Sequence, residues 1–247
     1  RGHSVSASIA FYEWKKSKVN LIDTPGDSNF VADTPASLRV VDGVVIVISA
    51  VDGVQFYTEK VWNAATELDI PKIIFINKVD HQQADIKSVL ESIKKKFKVN
   101  PFCIHTAVGT GEKFTGVIDV LSKKFHSYQK DGSGKNKTDA IPDLMTEEVN
   151  YSFGELTELV AEIDDDLTEN YLENGELSEK EFNDGFKRGL KEGKLLPVFV
   201  GSATQNMGVD LLMDAIIDYL PSPDQRISVK GKNPKDGSDK LCNADPK

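Results

Sequence analysis

The chain has 247 residues, of which 39% are hydrophobic, and a formal net charge of −9 at pH 7. This size and apolar content suit one sizeable core with a smaller attached lobe. The acidic balance argues against broad binding to nucleic acid phosphates, so we expect no direct DNA binding. Cys103 and Cys242 lie far apart and indicate free thiols. Since there is no membrane-length apolar run and no signal-peptide pattern, we expect a cytoplasmic monomer that binds no membrane.

The first hundred residues alternate short apolar runs with amphipathic segments. Residues 5–15 and 18–23 predict a β-hairpin with its turn at Lys16–Ser17. Two later runs are apolar throughout, as strands of a parallel sheet are when both faces are covered, and the segments after them have helical periodicity. The predicted strands are 43–49 and 72–77, and the predicted helices are 58–69 and 86–97.

Residues 100–193 interrupt this alternation and predict an inserted α+β subdomain. Short strands are expected at 102–106, 116–120 and 124–128, followed by a polar loop over 129–138 and two helices. Ser152 with Glu155, and Ser178 with Glu181, have capping-box spacing, so each pair is expected to begin a helix. The first of these helices is strongly acidic, and both a solvated face and a docking surface remain open for it.

The alternation resumes with a predicted strand at 197–201 and a helix over 209–220. The sequence therefore predicts an α/β fold with a doubly wound, mostly parallel sheet and an inserted α+β subdomain. The expected organisation is a core from 1–99 and 194–223, the insertion 100–193, and a polar linker over 224–247 that leads to a following domain.

The first candidate motif, Asp23-Thr24-Pro25-Gly26, follows a predicted strand. Open α/β sheets place their ligands at strand ends, where the Asp23 carboxylate can hold Mg²⁺ through water. The Gly26 N–H can approach a γ-phosphate unobstructed, and glycine tolerates a change of backbone conformation when that phosphate leaves. An ordinary strand-ending turn is the alternative for this tetrapeptide taken alone.

The second motif, Asn77-Lys78-Val79-Asp80, follows the strand 72–77. The Asp80 carboxylate can accept hydrogen bonds from the ring N–H and exocyclic amine of guanine, which adenine does not offer. Asn77 can brace the loop, and the methylenes of Lys78 can cover the base. A simple turn in which Asp80 caps the next helix is the alternative for this motif alone.

The third motif, Gly201-Ser202-Ala203, ends the last predicted strand. Small residues here allow backbone N–H groups to approach the carbonyl oxygen of a base. Each motif is weak in isolation. Together, at strand ends and in this order, they predict a site for GTP and GDP.

These three motifs resemble the third, fourth and fifth motifs of translational GTPases, and the insertion resembles the extra subdomain of elongation factor G. Further similar segments are 39–43, 51–54 and 219–223. The resemblance implies a P-loop-type G domain that couples GTP hydrolysis to tRNA–mRNA movement on the ribosome. It also implies that the acidic insertion touches ribosomal stalk proteins.

The chain departs from this family in three respects. No G-x-x-x-x-G-K-[ST] phosphate-binding loop occurs, and we expect it to precede residue 1. Residues 1–4 resemble the end of the first switch, with Ser4 in place of the threonine that binds Mg²⁺. Asp27 stands where the family has the histidine that positions the attacking water, so it is the candidate catalytic residue and places hydrolysis in doubt. Two alternatives follow: a ribosome-associated module that binds GTP but hydrolyses it slowly, and a ribosomal protection or release factor.

Overall fold

The structure, a computed structural model, describes residues 4–225 and 228–243. In chain order, its strands and α-helices are β1 Ser8–Trp14, β2 Ser17–Asp23, α1 Thr34–Leu38, β3 Val44–Ser49, α2 Phe56–Glu67, β4 Lys72–Asn77, α3 Ile86–Phe97, β5 Pro101–Cys103, β6 His105–Val108, β7 Gly116–Asp119, β8 Lys124–Tyr128, β9 Asn136–Asp139, α4 Asp143–Ala161, α5 Asp165–Asn174, α6 Glu179–Lys191, β10 Leu196–Val200, α7 Val209–Tyr219, β11 Ser228–Lys232 and β12 Asp239–Asn243. Short 3₁₀ turns are Ser28–Asp33, Gly111–Lys113 and Pro223–Gln225.

The central sheet is parallel, with its strands in the order β3-β4-β10-β5. Successive side chains of a strand point to opposite faces. Ile74 and Ile76 of β4 therefore pack in the cluster that includes α2 and α3 residues. Ile73 and Phe75 pack with residues of α4, α6 and α7 on the other face. Because helices cover both faces, these strands are apolar throughout, and the predicted α/β fold with a parallel sheet is confirmed.

The predicted N-terminal hairpin is present, with β1 and β2 antiparallel from Ser8↔Asp23 to Trp14↔Ser17. Its turn was expected one residue too late. Lys15 and Lys16 form it, with φ of 46° and 66°, as a two-residue hairpin turn requires. The turn lies against α7, where the Trp14 indole N–H donates to Asp214 Oδ1 at 2.6 Å and Lys15 Nζ lies 2.8 Å from the same oxygen.

The single strand expected at 102–106 is two strands in two different sheets. β5 pairs in parallel with β10 at the edge of the central sheet, whereas β6 begins an antiparallel sheet in the order β6-β7-β8-β9. Ile104, between them, is buried and donates its N–H to the Val198 carbonyl at 3.0 Å. The first residues of the range 100–193 thus complete the parallel sheet, and only the following residues form the antiparallel sheet.

One predicted capping box is correct and the other is wrong. The Ser178 hydroxyl accepts from the Glu181 N–H at 3.3 Å while the Glu181 carboxylate accepts from the Ser178 N–H at 2.9 Å, at the start of α6. Ser152 instead lies inside α4, which begins at Asp143. The acidic helix expected there is divided at Asp164, which caps α5 by accepting from the Leu167 N–H. Spacing cannot separate a cap from an interior position when a helix-compatible run precedes it.

Residues 224–247, expected to be a linker, include a second hairpin in which β11 and β12 pair from Ser228↔Asn243 to Lys232↔Asp239. These strands are mostly polar, so hydrophobic periodicity gave no signal for them. Across the two described ranges, none of the helices has the combined length and hydropathy that crossing a bilayer requires.

Candidate functional site

The parallel sheet brings the second and third motifs together. β3, β4 and β10 are neighbours, so their carboxyl ends lie at one edge of the sheet. Asn77 ends β4 opposite Ser49 of β3, and the 201–208 loop follows β10. We call residues 77–80 and 201–208 the base-side loops. Their position at this edge is where α/β proteins bind ligands.

Asn77 joins the two base-side loops. Its side-chain oxygen accepts one hydrogen bond from the Lys78 N–H at 2.8 Å and another from the Ala203 N–H at 2.9 Å. The second bond connects segments more than a hundred residues apart in the chain. The bracing expected of Asn77 is therefore present in the geometry, and it fixes both loops relative to each other.

The backbones of the base-side loops also contact each other directly. Val79 is fully buried, and its N–H donates to the Gly201 carbonyl at 3.2 Å. A Cβ at Gly201 would overlap the Met207 carbonyl oxygen and lie 2.9 Å from the Phe75 ring. Only glycine fits this close approach, so Gly201 is required for packing as well as for its position in the motif.

Asp80 is half-buried at the end of its loop and accepts a hydrogen bond from the Thr204 hydroxyl at 3.4 Å. Lys78 is exposed, with φ of 65°, and its ammonium lies 3.6 Å from Asp52 Oδ2. A hydrogen bond from the Ser49 hydroxyl, and then the Lys78 charge, lower the pKa of Asp52. The Asp80 carboxylate and the methylenes of Lys78 therefore border the same carboxyl edge of the parallel sheet.

The donors expected at the third motif are engaged within the protein. The Ser202 N–H donates to the Met207 carbonyl at 2.9 Å, and the Ala203 N–H donates to Asn77. The fully buried Ser202 hydroxyl accepts from the Gln205 N–H at 3.2 Å. Ser202 and Ala203 thus shape the loop in this structure, and the expectation that their N–H groups are open to a base is not met.

The predicted metal residues are adjacent. The Ser4 hydroxyl donates to Asp23 Oδ2 at 2.8 Å, so a hydroxyl and a carboxylate oxygen meet at the end of β2. A second hydrogen bond holds the residues after Ser4 close to the 3₁₀ turn Ser28–Asp33, because the Ala7 N–H donates to Asp33 Oδ2 at 2.9 Å. Residues 1–3 of the expected switch lie outside the described residues. We call Ser4 and residues 23–27 the switch segment.

Within the switch segment, Thr24 is half-buried, Pro25 is buried and Gly26 is exposed. Gly26 is not among the glycines at positive φ, and no atom lies within 4 Å of a Cβ built on it. This conformation does not itself require glycine. Asp27 directs Oδ1 to the backbone N–H of Asn29 at 2.9 Å and to its side-chain amide at 2.8 Å. The candidate catalytic carboxylate therefore caps the 3₁₀ turn that follows it.

Comparison with known proteins shows the family of this chain. Residues 1–222 match the model of the elongation factor Tu GTP binding domain. The chain belongs to this translational GTPase family. It is similar to a crystal structure of a protein from Thermus thermophilus, with a TM-score of 0.83 and 29% sequence identity. The match covers 91% of this chain and 33% of that one, so the chain spans about a third of the matched structure.

This GTP-binding domain of the elongation-factor type also has site-bordering residues that its motifs did not single out as site residues. Thr204 reaches Asp80, Asp52 pairs with Lys78, and Met207 closes the third loop. Thr204 lies directly after the third motif, which is the one local signal that could have marked it. Among the described hydrogen bonds, none joins the switch segment to the base-side loops.

Proposed function

We propose that this domain binds GTP and GDP with Mg²⁺ and hydrolyses GTP as the nucleotide switch of an elongation factor G-type ribosomal factor. The observation that carries the proposal is the bond from the Ala203 N–H to Asn77, which holds both base-side loops at one edge of the sheet. Membership of the family supports guanine nucleotide as the ligand.

Guanine recognition is assigned to Asp80. Its carboxylate accepts from the ring N–H and exocyclic amine of the base, and the Thr204 hydroxyl holds one of its oxygens. Adenine lacks this pair of donors, so binding it would leave a desolvated carboxylate without partners. The exposed stem of Lys78 covers one side of the base, while Val79 anchors the loop in the core.

Ser4 and Asp23 are assigned to Mg²⁺. Hard oxygen donors suit this ion, and it takes one or two protein ligands when substrate phosphates and water complete the shell. The hydroxyl and the carboxylate, 2.8 Å apart, fit that requirement. The chemistry supplied by bound Mg²⁺ is neutralisation of phosphate charge.

The mechanical output follows from the switch segment. A γ-phosphate near Gly26 orders this segment, and loss of the phosphate releases it. In an elongation factor G-type protein this cycle would move the following domains and drive tRNA–mRNA translocation on the cytoplasmic ribosome. Contact of the acidic α4–α5 region with ribosomal stalk proteins is part of the same proposal.

Asp27 favours a second function, a ribosome-associated module that binds GTP but hydrolyses it slowly. Asp27 Oδ1 accepts two hydrogen bonds from Asn29, so this oxygen is engaged in the turn that follows. A carboxylate also repels the charge that develops on a transferred phosphoryl group. In this case guanine affinity is normal while turnover is slow.

GTP turnover by the full-length protein, with and without ribosomes, separates the two functions. The variants are Asp27→His and Asn29→Ala, and the control is Asn174→Ala, which removes an exposed asparagine of α5. We expect ribosome-stimulated turnover in the wild type, and an increase in Asn29→Ala because Asp27 Oδ1 loses its side-chain amide donor and keeps only the backbone N–H.

Turnover that appears only in Asp27→His, with unchanged GDP affinity, would support the slow module. Absence of guanine nucleotide binding by the wild type would overturn both functions.

A further inference from the structure

The antiparallel sheet β6–β9 and its connections contact both base-side loops. On one loop, the Gly111 N–H donates to the Val79 carbonyl at 2.9 Å, and Gln82 Nε2, just beyond that loop, donates to Glu112 Oε1 at 3.3 Å. Lys130 Nζ, from the β8–β9 connection, donates to the Glu112 carbonyl. The turn that touches residues 77–80 is thus tied to the β8–β9 hairpin.

The same hairpin holds the other loop through Asp210, in the first turn of α7. The Tyr128 hydroxyl donates to Asp210 Oδ1 at 2.6 Å, and Asn136 Nδ2 donates to Asp210 Oδ2 at 2.6 Å. Both carboxylate oxygens are therefore occupied by donors from the two strands of one hairpin. Hydrogen bonds to a charged acceptor are the stronger kind, and these are partly shielded from water.

Burial strengthens this arrangement. Tyr128 is 7% exposed and packs in the core cluster with Met207 of the base-side loop. Its burial, and then its bond to Asp210, raise the pKa of its hydroxyl, so it remains a donor at any physiological pH.

The hairpin turn also lies directly on the loop. Gly134, with φ of 70°, approaches Asn206 so closely that a Cβ there would lie 2.5 Å from Asn206 Nδ2 and 3.2 Å from its carbonyl oxygen. Asn206 itself has φ of 53°, a left-handed conformation that asparagine adopts more readily than most residues. The β8–β9 turn therefore lies in close contact with the 201–208 loop.

We propose that Tyr128, Asn136 and Asp210 are positioning residues for guanine recognition, since they set the 201–208 loop against the 77–80 loop. They do not touch the base. They act through the Ala203–Asn77 and Thr204–Asp80 bonds, whose donors lie in the loop that α7 follows. The inserted sheet then has a part in base selectivity in addition to any contact with partners. This inference rests on the proposed function.

The test compares GDP with IDP, whose base lacks only the exocyclic amine, in the full-length protein carrying Tyr128→Phe or Asp210→Asn. Tyr128→Phe keeps the buried ring and removes one donor, and Asp210→Asn removes the charge and leaves one acceptor oxygen. Tyr151→Phe is the matched control, because this tyrosine is exposed on α4 and its hydroxyl bonds to Glu155 at 3.1 Å.

We expect Tyr128→Phe and Asp210→Asn each to release GDP about tenfold faster than the wild type, which corresponds to about 1.4 kcal/mol. The ratio of IDP to GDP dissociation constants should fall toward one, because Asp80 is no longer held against the amine. General destabilisation would weaken GDP and IDP binding equally and leave the ratio unchanged.

If the ratio of IDP to GDP dissociation constants in Tyr128→Phe and Asp210→Asn equals that of the wild type, the positioning role is overturned, while guanine binding itself stands. Failure of the wild type to prefer GDP over IDP would instead overturn guanine recognition. An equal fall of the IDP to GDP ratio in Tyr151→Phe would also count against the positioning role.

Discussion

The base-side loops and the switch segment are built in different ways. The base-side loops follow strands of one parallel sheet, and side-chain and backbone hydrogen bonds connect them, including those from Ala203 to Asn77 and from Val79 to Gly201. Residues 23–27 of the switch segment lie at the end of β2, whose described pairing is with β1 alone, and side-chain contacts such as Ser4 to Asp23 hold them. A rigid region and a loosely held region suit a protein that reads a base constantly and a γ-phosphate only part of the time.

The largest expected effect comes from Asp80→Asn in the full-length protein. The substitution replaces an acceptor with an amide whose N–H₂ faces the donors of guanine, so GDP affinity should fall at least about 100-fold. Affinity for XDP, which has a carbonyl in place of the amine, should rise. Equilibrium titration with both nucleotides checks this, with the exposed Asp166→Asn as control. Unchanged GDP affinity would remove Asp80 from the site.

A pair of glycines compares the two regions directly. In Gly201→Ala, the new methyl group overlaps the Met207 carbonyl, so the free energy of unfolding should fall by about 1–3 kcal/mol. In Gly26→Ala, the space is open and φ is not positive, so the change should stay within about 0.5 kcal/mol. Urea unfolding measures both. Equal destabilisation of the two variants would contradict the distinction between a rigid and a loosely held region.

Acid should weaken the scaffold of the base-side loops through His105. Its ring packs edge-on against the ring of Phe199 in β10, with 4.8 Å between the ring centroids. Burial lowers the pKa of His105 to about 4, with His126 adding to this shift while Asp119 and Asp214 oppose it. The unfolded chain takes up the proton near pH 6.5 and the folded protein only near pH 4. Stability is therefore retained above pH 6.5 and lost as the pH falls toward 4.

This loss should reach about 1 kcal/mol between pH 7.5 and 5.5, measured as the change in urea unfolding free energy. His105→Gln removes the titrating group and should flatten the dependence, whereas His81→Gln, at an exposed site, should preserve it. The same acid dependence in both variants would assign the effect to other groups.

Periodicity in the sequence predicted the parts of the fold that depend on local pattern. The strands at 43–49 and 72–77 and the helix over 86–97 agree with β3, β4 and α3 within a residue, because a fully covered strand and an amphipathic helix each leave their own spacing of apolar residues. The failures occurred where the pattern is ambiguous. Ser152 has the residues of a cap but lies inside α4.

The motifs located the candidate site, but the tertiary structure decided how its residues are used. The sequence determined that Asp23 and Asn77 end strands and that Ser202 follows one, since each ends or follows an apolar run. Only the folded chain occupied the Ala203 N–H with Asn77. It also brought the β8–β9 hairpin onto the 201–208 loop. These contacts depend on which elements pack together, and no local preference of a residue records a hydrogen bond to a partner a hundred positions away.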